Sequence, residues 1–205
     1  MTLRLFFSPA SPYVRKVMIA AYERGLADQV EKLSSAAGPV KRDLNIVKYN
    51  SSGKVPCALL EDDTPLFDSR VICAYIDSIG VKGDSLYPTD RRFEVLTLEA
   101  LGDAILDACL LHRYENVMRP EEKRWDDWSR GQMEKIDSGL DDLEGRWFDE
   151  LAREFSAGSI AAACVLGYLD FRFPEKDWRS THPKLTGWFE EASKRNSLTE
   201  TFPHT

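Results

Sequence analysis

At 205 residues, with 43% hydrophobic and 30% charged residues, the chain has the composition of a soluble globular protein with room for one or two domains. The formal net charge of −7 argues against a nucleic-acid-binding surface spread over the whole molecule. No stretch reaches the ~20 apolar residues of a bilayer span, and the opening MTLRLFFSPASP lacks the apolar core of a secretion signal, so the expected compartment is the cytoplasm. In chain order, LRLFF over 3–7 reads as a strand. YVRKVMIAAYERG over 13–25 reads as a helix ending at Gly25, with Ser11 at the N-cap position and Pro12 at the first helical position. PCALLE over 56–61 is a second strand; the turn-rich DDTP and the short run LFD complete a β-hairpin. SRVICAYIDSIG over 69–80 puts Val71, Ile72, Tyr75, Ile76 and Ile79 on one helical face, with Ser69 as the expected cap and Gly80 as the stop.

From Asp90 onward the strand signals vanish. RRFEVLTLEALGDAILDACLLHRYENVM over 91–118 is one long helical pattern broken near Pro120, and a second runs from Glu121 to Glu144. SIAAACVLGYLDFRF over 159–173 is apolar nearly all round and reads as a buried central helix. PKLTGWFEEASKR over 183–195 closes the set. The expected organisation is an α/β domain over 1–80, a linker over 81–89 rich in Gly, Ser, Pro and Asp, and an all-helical domain over 90–205.

Cys57, Cys73, Cys109 and Cys164 lie far apart, with no CxxC and no histidine at metal-ligand spacing, which suits buried free thiols and no metal site. His112, His182 and His204 show no nucleophile or ligand partner at a telling spacing, and His182-Pro183 reads as a helix start. Trp125, Trp128, Trp147, Trp178 and Trp188 are expected to pack in the core or between helices. No Gly-rich phosphate loop supports nucleotide binding. Three places in the first half remain chemically pointed: SPYVRKV, GKVPCALL and LFDSRVI. Singly, each reads as a cap or a strand start.

In order and spacing, together with DAILDACLLHRYENVMRPEEKRW, SIAAACVLGYLDFRF and HPKLTGWFEEASKRNSLTETFP, these stretches resemble the glutathione transferase family, closest to its serine-type, bacterial-like members. The resemblance implies a thioredoxin-like glutathione-binding domain followed by an all-helical domain that holds a second substrate. It gives Ser11 the hydroxyl that faces the glutathione sulfur; Ser8, in the strand-end loop, is the second candidate. Val55-Pro56 corresponds to the family's cis-proline step, with the Val55 main chain on the cysteinyl moiety. Asp68 and Ser69 correspond to an acidic-Ser pair, more often Glu-Ser, for the γ-glutamyl ammonium and carboxylate. Lys54 and Lys41 are candidates for the glycyl carboxylate. FSAGSIAAAC corresponds to a capping box with Ser156 at the cap and Ser159 where the family usually has Asp; a serine there can still reach back to the cap's backbone N–H but brings no charge to the helix start. Ala10, Leu106, Leu110 and Tyr114 are the candidate second-substrate residues.

The implied activity is conjugation of the glutathione thiolate to a small electrophile, with glutathione as co-substrate, no metal, no nucleic acid or membrane partner, and a homodimeric state. A glutathione-binding regulatory module and a glutathione-dependent peroxidase are the alternatives. Thiol-disulfide exchange would need a cysteine beside the first helix, and residues 8–17 contain none.

Overall fold

The computed structural model describes residues 2–204. They form two compact units, one running up to Asp90 and taking in the segment from Lys194 onward, the other Arg91–Ser193. The C-terminal segment from Lys194, expected with the helical part, therefore belongs to the first unit.

In the first unit the chain runs β1 (Leu3–Phe6), α1 (Pro12–Glu23), β2 (Val30–Leu33), α2 (Leu44–Val47), β3 (Cys57–Leu59), β4 (Pro65–Leu66) and α3 (Ser69–Ile79). The four strands make one mixed sheet in the order β2-β1-β3-β4. β1 runs parallel to β2, pairing Phe6 with Leu33, and antiparallel to β3, pairing Phe6 with Cys57; β4 returns antiparallel to β3 with Leu66 opposite Ala58. Alternation along the strands divides the core. Phe6, Cys57 and Leu59 cluster with Ile46 of α2 on one face, while Leu5 and Ala58, fully buried, point to the other. The sequence reading has no β2: VEKL carries two exposed charges and lies at the sheet edge. Gly25 ends α1 with φ 71°, a conformation that glycine adopts without steric cost.

The helical unit runs α4 (Arg92–Val117), α5 (Asp126–Glu144), α6 (Phe148–Arg153), α7 (Ala157–Arg172), α8 (Trp178–Thr181) and α9 (Pro183–Ala192); the short α10 (Asn196–Thr199) falls in the first unit. α7 is buried from Ala157 to Leu169, in keeping with its apolar composition. α4 meets α7 where Gly102 lies against Ala161, and meets α5 where Gly139 lies against Ile105. α5 starts at Asp126 rather than Glu121, because a 3-10 turn over Glu121–Lys123 intervenes. The buried Glu115 carboxylate accepts the Trp125 amide at 2.9 Å and the Arg119 Nε at 2.8 Å, holding that turn to the end of α4.

Ser156 caps α7 as expected, its Oγ accepting the Ser159 amide at 3.4 Å. Ser159 does not reach back to the cap's N–H, which instead donates to the Glu154 carbonyl. Its Oγ lies 2.8 Å from the Glu154 carbonyl and 3.2 Å from that of Leu151, acceptors that a hydroxyl can serve and a carboxylate cannot. Trp178 is buried with its indole N–H on Asp170. Trp125 and Trp128 depart from the expectation of core packing: they stack on each other in the exposed region around the start of α5. His182 gains partners that no sequence spacing reveals, with Asp141 Oδ1 3.1 Å from its Nε2.

Candidate functional site

Strand register explains why four separated stretches of the first unit converge. The C-terminal end of β1 lies beside the start of β3, and the C-terminal end of β4 lies beside that same start. The loop leading to α1, the Lys54–Pro56 segment and the start of α3 therefore emerge at one end of the sheet. β2, parallel to β1, sends its following loop, which carries Lys41, from that end too.

Ser11 sits at the N-cap of α1 with extended backbone, φ −84° and ψ 119°, followed by Pro12. Its Oγ accepts the Val14 amide at 3.3 Å, and its own amide donates to the Ser8 carbonyl at 3.1 Å. Capping uses a lone pair and leaves the hydroxyl proton free to be donated elsewhere. The first turn of α1 has no acidic residue, so nothing there neutralises the positive end of the helix dipole. Arg15 is buried and donates to the Leu198 carbonyl and the Thr201 hydroxyl; Lys16 is fully buried. Ser8 lines a cavity of about 50 Å³ with Phe7, Arg15, Lys32 and residues of the C-terminal segment.

The Val55-Pro56 peptide is cis, as is Phe67-Asp68. Val55, half-buried, packs against the cluster of Phe6, Ile46, Cys57 and Leu59. The loop before it is shaped by Asn50, a residue the sequence reading does not single out. Buried Asn50 donates to the Lys54 carbonyl at 3.1 Å and accepts from the Ser52 amide at 3.1 Å and hydroxyl at 2.7 Å. The signal was present in the run NSSG, a turn composition with Asn leading. Lys54 and Lys41 are both exposed.

Asp68, not Ser69, caps α3: its Oδ1 accepts the Arg70 amide at 3.0 Å, and its Oδ2 lies 3.1 Å from Arg70 Nη2. Both residues are cap formers, and the extended backbone at Asp68 decides between them. Burial raises the Asp68 carboxyl, but the hydrogen bonds and charge of Arg70 and the charge of Lys16 outweigh it, so the group titrates below the usual range. Ser69 becomes the first residue of the helix and is buried; among the described residues none hydrogen-bonds its hydroxyl.

Of the second-substrate candidates, Ala10 is half-buried in the loop before α1. Leu106 is fully buried in the core of the helical unit and has no surface to offer a ligand, a correction to its expected role. Leu110 and Tyr114 are half-buried one turn apart on α4. All four cysteines are free and buried, and burial pushes the thiols of Cys57 and Cys109 up to about 11 and about 12. Neither of these two is therefore a ready thiolate. Among the described residues no His, Cys, Asp or Glu group could hold a metal, and no helix is long and apolar enough to cross a membrane.

The chain matches the glutathione S-transferase N-terminal domain family over residues 10–79 and the glutathione S-transferase C-terminal domain family over residues 126–191. It is 33% identical over 206 residues to the uncharacterised GST-like protein YibF of Escherichia coli K12, covering 98% of each chain. A glutathione transferase family member of Pseudomonas fluorescens Pf-5 with bound glutathione is 44% identical, with a TM-score of 0.96 and 100% of both chains covered. A second structure from that organism, a family member with bound S-(propanoic acid)-glutathione, has 44% identity, the same coverage and a TM-score of 0.92. With a four-stranded mixed sheet, a helical unit and both family domains matched in order, this chain belongs to the glutathione S-transferase family.

Proposed function

We propose that the protein is a glutathione transferase that joins the glutathione sulfur to a small electrophilic carbon, with Ser11 as the group that stabilises the thiolate. The observation that carries the reading is the double capacity of Ser11. Its oxygen accepts the Val14 amide while its proton stays available, at a half-buried position beside an uncompensated helix N-terminus. A free thiol titrates near ~8.5, and lowering that by ~2 units takes ~2.7 kcal/mol of preferential thiolate stabilisation. A charge-assisted O–H···S⁻ bond plus the helix dipole has that magnitude. Accepting from the backbone also polarises the hydroxyl, which strengthens it as a donor.

In this reading the Val55 main chain holds the cysteinyl moiety, the Asp68 carboxylate holds the γ-glutamyl ammonium, and Ser69 takes the α-carboxylate. Asp68 is ionised at neutral pH, and the Ser69 hydroxyl has no hydrogen-bond partner among the described residues, which supports both roles. Lys54 and Lys41 serve the glycyl carboxylate. Residues 1–80 form the glutathione-binding domain, 81–89 the linker and 90–193 the domain that holds the electrophile, with Leu110 and Tyr114 near it; the segment from Lys194 stays with the first unit. The glutathione bound by the Pseudomonas fluorescens family member, 44% identical to this chain, supports the ligand assignment. The enzyme is cytoplasmic and homodimeric in this reading, uses no metal, and acts in detoxification.

The test is conjugation of glutathione to a generic aryl halide by wild type and Ser11→Ala, with a glutathione titration on both. Turnover by wild type, and a variant that binds glutathione but loses most of the rate, supports the reading. Glutathione binding without turnover on aryl halides or hydroperoxides contradicts it in favour of a binding module. Absence of glutathione binding refutes it outright.

A further inference from the structure

Among the described residues, two arginines of the helical unit stand together with no carboxylate to pair them. Their meeting follows from the register of α4 and α7. Gly102 lies so close to α7 that a Cβ there would be 2.7 Å from the Ala161 Cβ, and Leu98 packs on Gly158 in the same way. The contacts advance together along both chains, so the helices run parallel. About eleven residues on, close to three whole turns, the facing sides carry Arg113 on α4 and Arg172 on α7. Tyr114 and Tyr168 lie with them: the charges of Arg113 and Arg172 both act on the Tyr168 hydroxyl, and that of Arg113 acts on Tyr114.

The surroundings of this pair differ from those of Arg91, Arg119 and Arg179. Arg91 sits between Glu150 and Glu154, Arg119 pairs with Glu115, and Arg179 pairs with Asp170. Arg113, half-buried, makes no ion pair or hydrogen bond among the described residues. The Arg172 guanidinium stacks on the Phe171 ring at 3.8 Å, and its Nε is buried without a hydrogen-bond partner. Among the described residues no carboxylate acts on it; burial, and then the like charge of Arg113, hold it below its usual value. The C-terminal carbonyls of α7 favour a cation at Arg172. They do not account for a second one brought beside it. Burial keeps both tyrosines neutral, with Tyr168 pushed up to about 12, so each remains a hydroxyl donor.

We propose that Arg113 and Arg172 bind a carboxylate on the second substrate, so that the electrophile this protein takes is an organic acid. The proposal rests on the transferase reading and adds the substrate class to it. Guanidinium forks match a carboxylate with paired N–H donors, Phe171 fixes the plane of one fork, and the tyrosine hydroxyls complete the donor set. The acid is the counter-charge that the pair lacks. In the reaction the sulfur forms a bond to carbon, the leaving group departs with its electron pair, and the thiol proton goes to solvent; the carboxylate itself is unchanged.

Two matched comparisons test this. The first measures kcat/KM for a chlorodinitrobenzene bearing a ring carboxylate para to chlorine, against its uncharged parent. The second titrates S-carboxyethyl-glutathione against S-propyl-glutathione and needs no turnover. Wild type is expected to favour the charged member of each pair by at least about tenfold, in line with a charge-assisted contact. Arg113→Gln and Arg172→Gln each bring both ratios toward one while binding glutathione as wild type does, and Arg172→Lys keeps part of the preference. A wild type that binds both conjugates equally overturns the proposal and leaves the glutathione reading standing, as does a preference that survives both glutamine variants. If wild type binds glutathione and both conjugates but turns over neither halide, the transferase reading alone fails. If it binds none of them, both fail.

Discussion

Glu23, at the end of α1, holds Arg195 and Ser197 at once: its carboxylate is 2.7 Å from Arg195 Nη2 and 2.5 Å from the Ser197 hydroxyl. These contacts join the first helix to the segment after Lys194 and account for that segment's place in the first unit. Burial raises the Glu23 carboxyl, but Arg195 and Ser197 outweigh it and the group titrates below its usual value. A carboxyl depressed on folding contributes stability that is present above its unfolded pKa and lost as pH falls through the folded one. Wild type should therefore lose stability relative to Glu23→Gln on acidification through the range below about pH 4.3, with the two converging at the acid end. At neutral pH Glu23→Gln should cost about 1–2 kcal/mol, read from urea midpoints at each pH.

Arg24 is the second clasp of that unit. Its Nε lies 3.0 Å from Asp77 Oδ1, and its Nη1 donates to the carbonyls of Lys82, Gly83 and Asp84 at 2.7, 2.5 and 2.7 Å. Asp77 in turn accepts from the Ser85 hydroxyl and the Leu86 amide. Replacing Arg24 leaves the Asp77 carboxylate without its counter-charge and three carbonyls without their donor. Arg24→Gln should cost about 3 kcal/mol, seen as a lower urea midpoint with an unchanged slope.

Two helical glycines should respond with opposite signs. Gly102→Ala would drive a Cβ to 2.7 Å from the Ala161 Cβ and 3.1 Å from its backbone carbon, and should destabilise by about 1–3 kcal/mol. Gly131, inside α5, has nothing within 4 Å of such a Cβ. Gly131→Ala should stabilise by about 0.5–1 kcal/mol, because alanine loses less backbone freedom on forming helix. Thermal melts of the two variants side by side check both signs.

What could be read along the chain was whatever its local chemistry decides. Prolines and glycines bracket α1, apolar periodicity marks α3 and α4, and the apolar stretch from Ala157 marks α7 as buried. β2 escaped because an edge strand with Glu31 and Lys32 exposed looks like a loop until β1 is there to pair it. The return of the C-terminal segment escaped because Glu23 and Arg195 are far apart in sequence. The segment Lys82–Asp84 reads as loose from its composition, yet Arg24 clamps it through backbone carbonyls, which carry no sequence signal. At the site, Ser11, Val55, Asp68 and Ser69 were nameable from motifs, but their convergence depends on strand register. Arg113 and Arg172 become a pair only when α4 and α7 are known to run parallel and in step.

On the proposed function, Ser11 lowers the pKa of bound glutathione's thiol. The direct measurement is a pH titration of thiolate ultraviolet absorbance for glutathione bound to wild type and to Ser11→Ala. The expected wild-type midpoint lies about 2 units below the free-thiol value of ~8.5, with the variant returned close to that value while still binding glutathione. A wild-type midpoint at the free value, or a variant that titrates with wild type, contradicts it.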